Sequence, residues 1–231
     1  MIRDKKKDIM ATLIKILDKT KFQDKTVFQL PSEAPSLTTG LQAFYKLDDT
    51  SDSSGNGNTL TDNGNVSFAS GKLGNAAVFD GTNCLTGDSL LVGNTFSVAG
   101  WVNNKSDDQC GIVYQNTGFG ISILGGVIEL TDLRSFGEYT TSQISQNIWN
   151  HFAVSVNNGL AKVFVNGLLE LEVTNSSNTV DLNGENGFGV GGNGAFAGGT
   201  KDIDAVGIWN RALSEAEVAA LYNSGTGLEL N

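Results

Sequence analysis

Seven Asn-Gly dipeptides, beginning at Asn56, Asn63, Asn158, Asn166, Asn183, Asn186 and Asn193, constrain this chain more than any other feature. Asn-Gly is the preferred pair for a two-residue hairpin turn, because both central residues need positive φ and these two tolerate it best. Around the turns lie ten short β-rich runs: LQAFYKL (41–47), AAVF (76–79), TFSVAGWV (95–102), GIVYQ (111–115), GISIL (120–124), VIELT (127–131), NHFAVSV (150–156), LAKVFV (160–165), LLELEV (168–173) and IDAVGIW (203–209). Runs of this length and spacing predict an all-β sandwich or barrel. The sharpest unit is LAKVFV-NG-LLELEV, a hairpin in which Leu169, Leu171 and Val173 share one face and Glu170 and Glu172 the other. Near the end, Ser214 and Glu217 fit the S-x-x-E capping box, which predicts one short helix over 215–223 that stops at Asn223-Ser224-Gly225.

The first residues have a different texture. Residues 1–30 hold 8 of the 15 Lys and Arg and 4 of the 25 Asp and Glu, a balance of +4, against −14 for the rest. Ile9, Leu13, Ile16 and Leu17 fall on one face of a helix over 4–19 with lysines opposite, so 1–30 reads as a basic amphipathic anchoring segment. Both prolines lie in PSEAPSLTTG, which reads as a linker over 31–40, leaving 41–231 as the main domain. The acidic domain repels phosphate backbones, which argues against nucleic-acid binding by it. Lys15 interrupts the first apolar stretch and no small-residue cleavage site follows, unlike a secretory signal, and no run approaches a membrane span. Cys84 and Cys110 do not make a disulfide framework; two free thiols are expected, with a single bridge between strands as the alternative.

The phrases FYKLDDTSDSSGNGN (44–58), LGNAAVFDG (73–81), FSVAGWV (96–102), WNHFAVSVNNGLAKVFVNG (149–167) and IDAVGIWNRALSEAEVAALYNSG (203–225) stand in an order that resembles laminin-G-like domains of the concanavalin A-like lectin/glucanase superfamily. The resemblance spans about residues 41–225. It implies a jelly roll of two antiparallel sheets, frequent carbohydrate binding, frequent use of calcium, and use as an accessory module of surface proteins and phage virion proteins.

Candidate site residues follow, each with its bland alternative. Asp52, Asn56 and their loop echo the start of an EF-hand calcium loop, and Asp204, at the acidic position of the family pattern ID-x-V, would complete a calcium set with Asp49 or Asp48. The alternative is that these side chains cap a turn. For ligand contact the loop-adjacent aromatics Tyr114, Phe119, Phe136, Tyr139 and Phe196 are nominated, whereas at least two of Trp101, Trp149 and Trp209 are expected to be packing between the sheets. The stretch GFGVGGNGAFAGG (187–199) contains G-x-G-x-x-G but no following helix, so it reads as a mobile loop and not a dinucleotide site. His151, the sole histidine, reads as structural. No E-x-D-x-x-E strand signature occurs, and Glu129 is the one acid nominated for an inward-facing position, so no enzymatic activity is expected.

These readings converge on a non-catalytic structural protein of a virion or surface, made in a host cytoplasm, whose jelly roll projects outward to bind host-surface glycan. Residues 1–30 would dock it to other assembly proteins, and homo-oligomerisation suits a projecting protein although the first helix has too few heptads to set it. The alternatives are a decoration protein without ligand recognition, a cell-surface or extracellular setting, and a glycan hydrolase on the same fold.

Overall fold

The computed structural model describes residues 36–90, 92–115, 119–132, 137–174, 187–192 and 198–230. The side chains of 115, 131, 132 and 137–140 are excepted. The chain divides after Ala34 into two units, and every described residue belongs to the second. The expected helix over 4–19 lies outside the described residues.

Fifteen strands are described: β1 (Leu41–Tyr45), β2 (Thr61–Asn63), β3 (Ser67–Ser70), β4 (Asn75–Phe79), β5 (Cys84–Gly87), β6 (Thr95–Asn104), β7 (Cys110–Gln115), β8 (Phe119–Leu124), β9 (Val127–Asp132), β10 (Gly137–Gln143), β11 (Trp149–Asn157), β12 (Leu160–Val165), β13 (Leu168–Thr174), β14 (Phe188–Val190) and β15 (Lys201–Trp209). One helix, α1 (Glu215–Tyr222), follows. All pairings are antiparallel. One sheet runs β13-β12-β11-β6-β15-β4-β3 with β1 also on β15, and the other runs β10-β9-β8-β7-β14-β5-β2. Of the sandwich or barrel that the turns and runs predict, this is the sandwich, in the two-sheet jelly-roll form that the resemblance implies.

Each sheet gives one face to a shared core, where Val98, Phe152 and Ile203 of the first meet Phe119, Ile121 and Leu130 of the second. The first sheet is also buried on its outward face. There Trp101, Ala153, Phe164 and Trp209 pack beneath Val218 and Leu221 of α1. That double covering explains why β6 reads as an almost unbroken apolar run, whereas a sheet wet on one side would alternate. It also corrects the placement of the tryptophans. Trp101 and Trp209 are buried as expected, but under the helix and not between the sheets.

The local signals behave as the backbone physics requires. Asn166-Gly167 and Asn158-Gly159 both carry positive φ and close the hairpins β12–β13 and β11–β12. Ser214 and Glu217 make both bonds of the capping box, and Asn223 ends α1 in the left-handed region at φ 48°.

Three expectations need correction. The stretch 187–199 is not loop throughout: Phe188–Val190 form β14, which runs between β5 and β7, with Phe188 and Val190 in the core. Gly191 is small because a Cβ there would lie 2.1 Å from the Phe79 ring. Leu169 is exposed, since a bulge at Val163/Phe164 shifts the register on an edge strand, while Leu171 and Val173 do pack inward. Residues 36–40 are not a free linker. Trp209 Nε1 donates to Leu37 O at 2.6 Å and Arg211 Nε to Thr39 O at 2.7 Å.

Candidate functional site

The outward face of β15, β6 and β11 carries two adjacent polar-aromatic rows. Register pairs Asp204 with Trp101 and Trp101 with His151; two residues along, it pairs Asp202 with Asn103 and Asn103 with Trp149. Side chains two apart on a strand share a face, so six residues far apart in sequence form one ladder.

The first row is sealed. The Trp101 ring meets His151 edge-on at 5.2 Å and stacks on Tyr222 at 5.8 Å. Lys72 Nζ lies 4.6 Å over the indole and donates to Gly225 O at 2.6 Å, tying the turn after α1 to the sheet. His151 Nδ1 and Asp204 Oδ1 are buried without a hydrogen-bond partner. Burial therefore pushes the imidazole down to about 3. It lifts the Asp204 carboxyl to about 7, against the N–H donors of Leu73, Lys72 and Ala205. Ala205 itself sits at φ 50° in a bulge of β15, a conformation that costs an L-residue about 1 kcal/mol. His151 is structural, as expected, and its low basicity keeps it neutral in the stack.

The second row is more open. Trp149 is half-buried beside Asn103, and Asp202 pairs with Lys105 at 2.6 Å. Composition gave no signal for Asn103, Asp202 or Lys105, because only strand register brings them beside Trp149.

The expected calcium residues do not converge. Asp52 Oδ1 accepts from Phe44 N and Ser54 N, and Oδ2 from Asn58 N and Ser54 Oγ. Burial alone would raise its pKa, but these bonds outweigh burial and hold the carboxyl below its usual range. Asn56 Nδ2 donates to Leu41 O and Gln42 O, Asp49 Oδ1 accepts from Ser51 N, and Asp204 Oδ2 from Lys72 N and Leu73 N. A calcium site needs six to eight oxygens turned inward, and oxygens already facing N–H donors are poorly placed for it. Among the described residues no three Asp, Glu, His or Cys side chains group as a ligand set. The Asp52 loop is a side-chain cap fastening the start of β1, and the carboxylate atom left over is Asp204 Oδ1, near Asp48, whose own Oδ1 accepts from Asn75 N.

Two of the nominated aromatics, Phe119 and Tyr114, also need correction. Phe119 is 1% exposed and packs edge-on against Phe96 at 5.0 Å in the core, because β8 begins at Phe119 itself. Tyr114 is buried on β7, beyond a bulge that turns Val113 to the core. Phe136, Phe196 and the side chain of Tyr139 lie outside the described residues. Glu129 is buried on β9 within 3.3 Å of Ser122 Oγ. Cys84 and Cys110 are free thiols, on strands with β14 between them; two strand spacings are about 9.5 Å, too far for a disulfide.

The comparisons agree with this fold. Domain 4 of the extracellular arabinanase of Geobacillus stearothermophilus, solved in complex with arabinotriose, superposes with a TM-score of 0.66 at 27% identity, over 78% of this chain and 97% of that one. The binding domain of Paraclostridial Mosquitocidal Protein 1 gives a TM-score of 0.67 at 20% identity over 81% of this chain, and that of botulinum neurotoxin serotype D 0.64 at 17% over 80%. Those two share the fold, and this chain spans about half their length, 53% and 52%. No curated protein matches the sequence. A family model matches residues 75–219, the stretch from β4 into α1 that holds both rows and the helix above them, and the chain belongs to the concanavalin A-like lectin/glucanases superfamily, in its laminin G-type branch.

Proposed function

We propose that the sandwich is a non-catalytic glycan-binding module whose ligand stacks on Trp149. The observation that carries this reading is the row Asp202, Asn103 and Trp149 on three neighbouring strands. A sugar ring offers an apolar C–H face and adjacent hydroxyls; a half-buried indole beside a carboxamide and an Asp–Lys pair is complementary to both. The arabinanase domain, matched over nearly its whole length and solved with arabinotriose, supports a neutral oligosaccharide. The excess of 25 acidic over 15 basic residues disfavours an acidic one. A glycosidase needs two facing carboxylates, and Glu129 is the one buried acid of the seven-stranded sheet among the described side chains, which supports a non-catalytic role. The module works, in this proposal, on the outside of a virion or cell, held to its assembly by the basic residues 1–30.

The test is binding of the full chain to arabino-oligosaccharides and a panel of bacterial surface glycans, in calcium and in chelator. Binding that falls at least tenfold in both Trp149→Ala and Asn103→Ala, with the fold kept, is expected. Binding lost in chelator would bring Asp204 and Asp48 back as cation ligands. Failure of every glycan would favour a decoration protein without recognition, a reading supported by one observation: no aromatic ring among the described side chains is fully exposed. Loss of incorporation into particles on deleting residues 1–35 tests the anchoring.

A further inference from the structure

Lys201 and Asn104 are the first residue of β15 and the last of β6, and register places them directly opposite each other. Directly opposed residues hold their Cβ atoms about 5 Å apart. Both side chains share the face of Ile203 and Val102, turned into the core, and both residues are 0% exposed. Each is anomalous there. Among the described residues no carboxylate lies within salt-bridge distance of Lys201, and Asp80 acts on it only at longer range; its Nζ makes two long hydrogen bonds, 3.3 Å to Gly198 O and 3.4 Å to Gly199 O, and lies over the Phe79 ring. Asn104 Nδ2 is buried with no hydrogen-bond partner, while its Oδ1 lies 3.8 Å from Cys110 Sγ. A buried cation with no described carboxylate in contact and a buried amide without an acceptor are both costly, and nothing in the ligand-binding role uses either.

We propose that Lys201 and Asn104 join in an intramolecular isopeptide bond that staples β15 to β6. Reaction relieves both burial costs at once, since charged amine and orphaned amide become one neutral secondary amide. Attack requires the free amine, and burial pushes Lys201 toward it. Lys201 Nζ adds to Asn104 Cγ, and the charge that develops on Oδ1 meets the Cys110 S–H. A proton passes from the amine to Nδ2, which leaves as ammonia. One C–N bond forms and one breaks, with no change of oxidation state and no co-reactant. The dry site keeps water from competing for the carbonyl carbon.

The experiment is the intact mass of the purified full chain, followed by protease mapping. The expected mass is lower than that of the sequence by one ammonia, about 17 Da. The map should contain a branched peptide joining Asn104 to Lys201, and Lys201→Arg and Asn104→Ala should both restore the full mass. Succinimide at an Asn-Gly site loses the same ammonia, but it persists in Lys201→Arg and is cleaved by hydroxylamine. A folded wild-type chain of full sequence mass, or a loss that survives Lys201→Arg, overturns the proposal.

Discussion

His151 and Asp204 flank Trp101 from opposite sides, each paired with it across one strand and each holding one buried atom without a hydrogen bond. Their titrations oppose each other. His151 is held neutral down to about 3, so the unfolded chain binds its proton first, below its ordinary 6.5. Its contribution is complete above that value and is lost as the pH falls toward 3, by about 4 kcal/mol in order of magnitude. Urea midpoints measured across this range should fall with acid, and His151→Gln should flatten the decline.

Asp204 acts in the other direction. Its carboxyl is raised to about 7, so the native state holds the proton between the ordinary 3.8 and 7, and stability drops as pH rises through that window. Asp204→Asn cannot ionise and still offers one oxygen to Lys72 N and Leu73 N. The variant should therefore gain stability over wild type at pH 8 compared with pH 5. Parallel pH profiles for the two proteins would remove the burial argument.

Asp52→Ala removes the acceptor of three backbone N–H groups, from Phe44, Ser54 and Asn58. A loss of about 2 to 3 kcal/mol is expected, from the cost of stranding partly buried donors. Because those donors already fill the carboxylate, the wild-type melting temperature should be the same in calcium and in chelator. A calcium-dependent shift that disappears in Asp52→Ala would show that the loop holds a cation.

Gly191→Ala tests the strand hidden in the glycine-rich stretch. The added methyl would lie 2.1 Å from the Phe79 ring at φ +86°, where an L-residue is strained. The substitution should cost about 3 kcal/mol or more in chemical denaturation. A neutral effect would mean that residues 187–192 are the mobile loop their composition suggests.

Ser214→Ala removes the side chain that accepts from Glu217 N at the start of α1. About 1 kcal/mol is expected, and since α1 covers Trp101, indole fluorescence should report the loosening.

Local chemistry made much of the fold legible. Two Asn-Gly pairs, the capping box and ten β-rich runs each act over a few residues, and each is found where the sequence places it. Less legible were β2, β3, β5, β10 and β14, which are short, polar or glycine-rich and owe their pairing to neighbours already in place. Two of the aromatic nominations, Phe119 and Tyr114, failed for a related reason: flanking glycine signals a turn equally well beside an exposed ring or, as at Phe119, beside one that anchors the core.

By itself, the sequence determined that this chain is a β-sandwich with one late helix, because turn chemistry and side-chain alternation are local properties. Only the tertiary structure decided which residues meet. Strand register across β15, β6 and β11 sets Asp204 against Trp101 and His151, Asp202 against Asn103 and Trp149, and Lys201 against Asn104. Those pairs are separated by about fifty to a hundred residues, and a shift of one position would have turned every one of them to the opposite face.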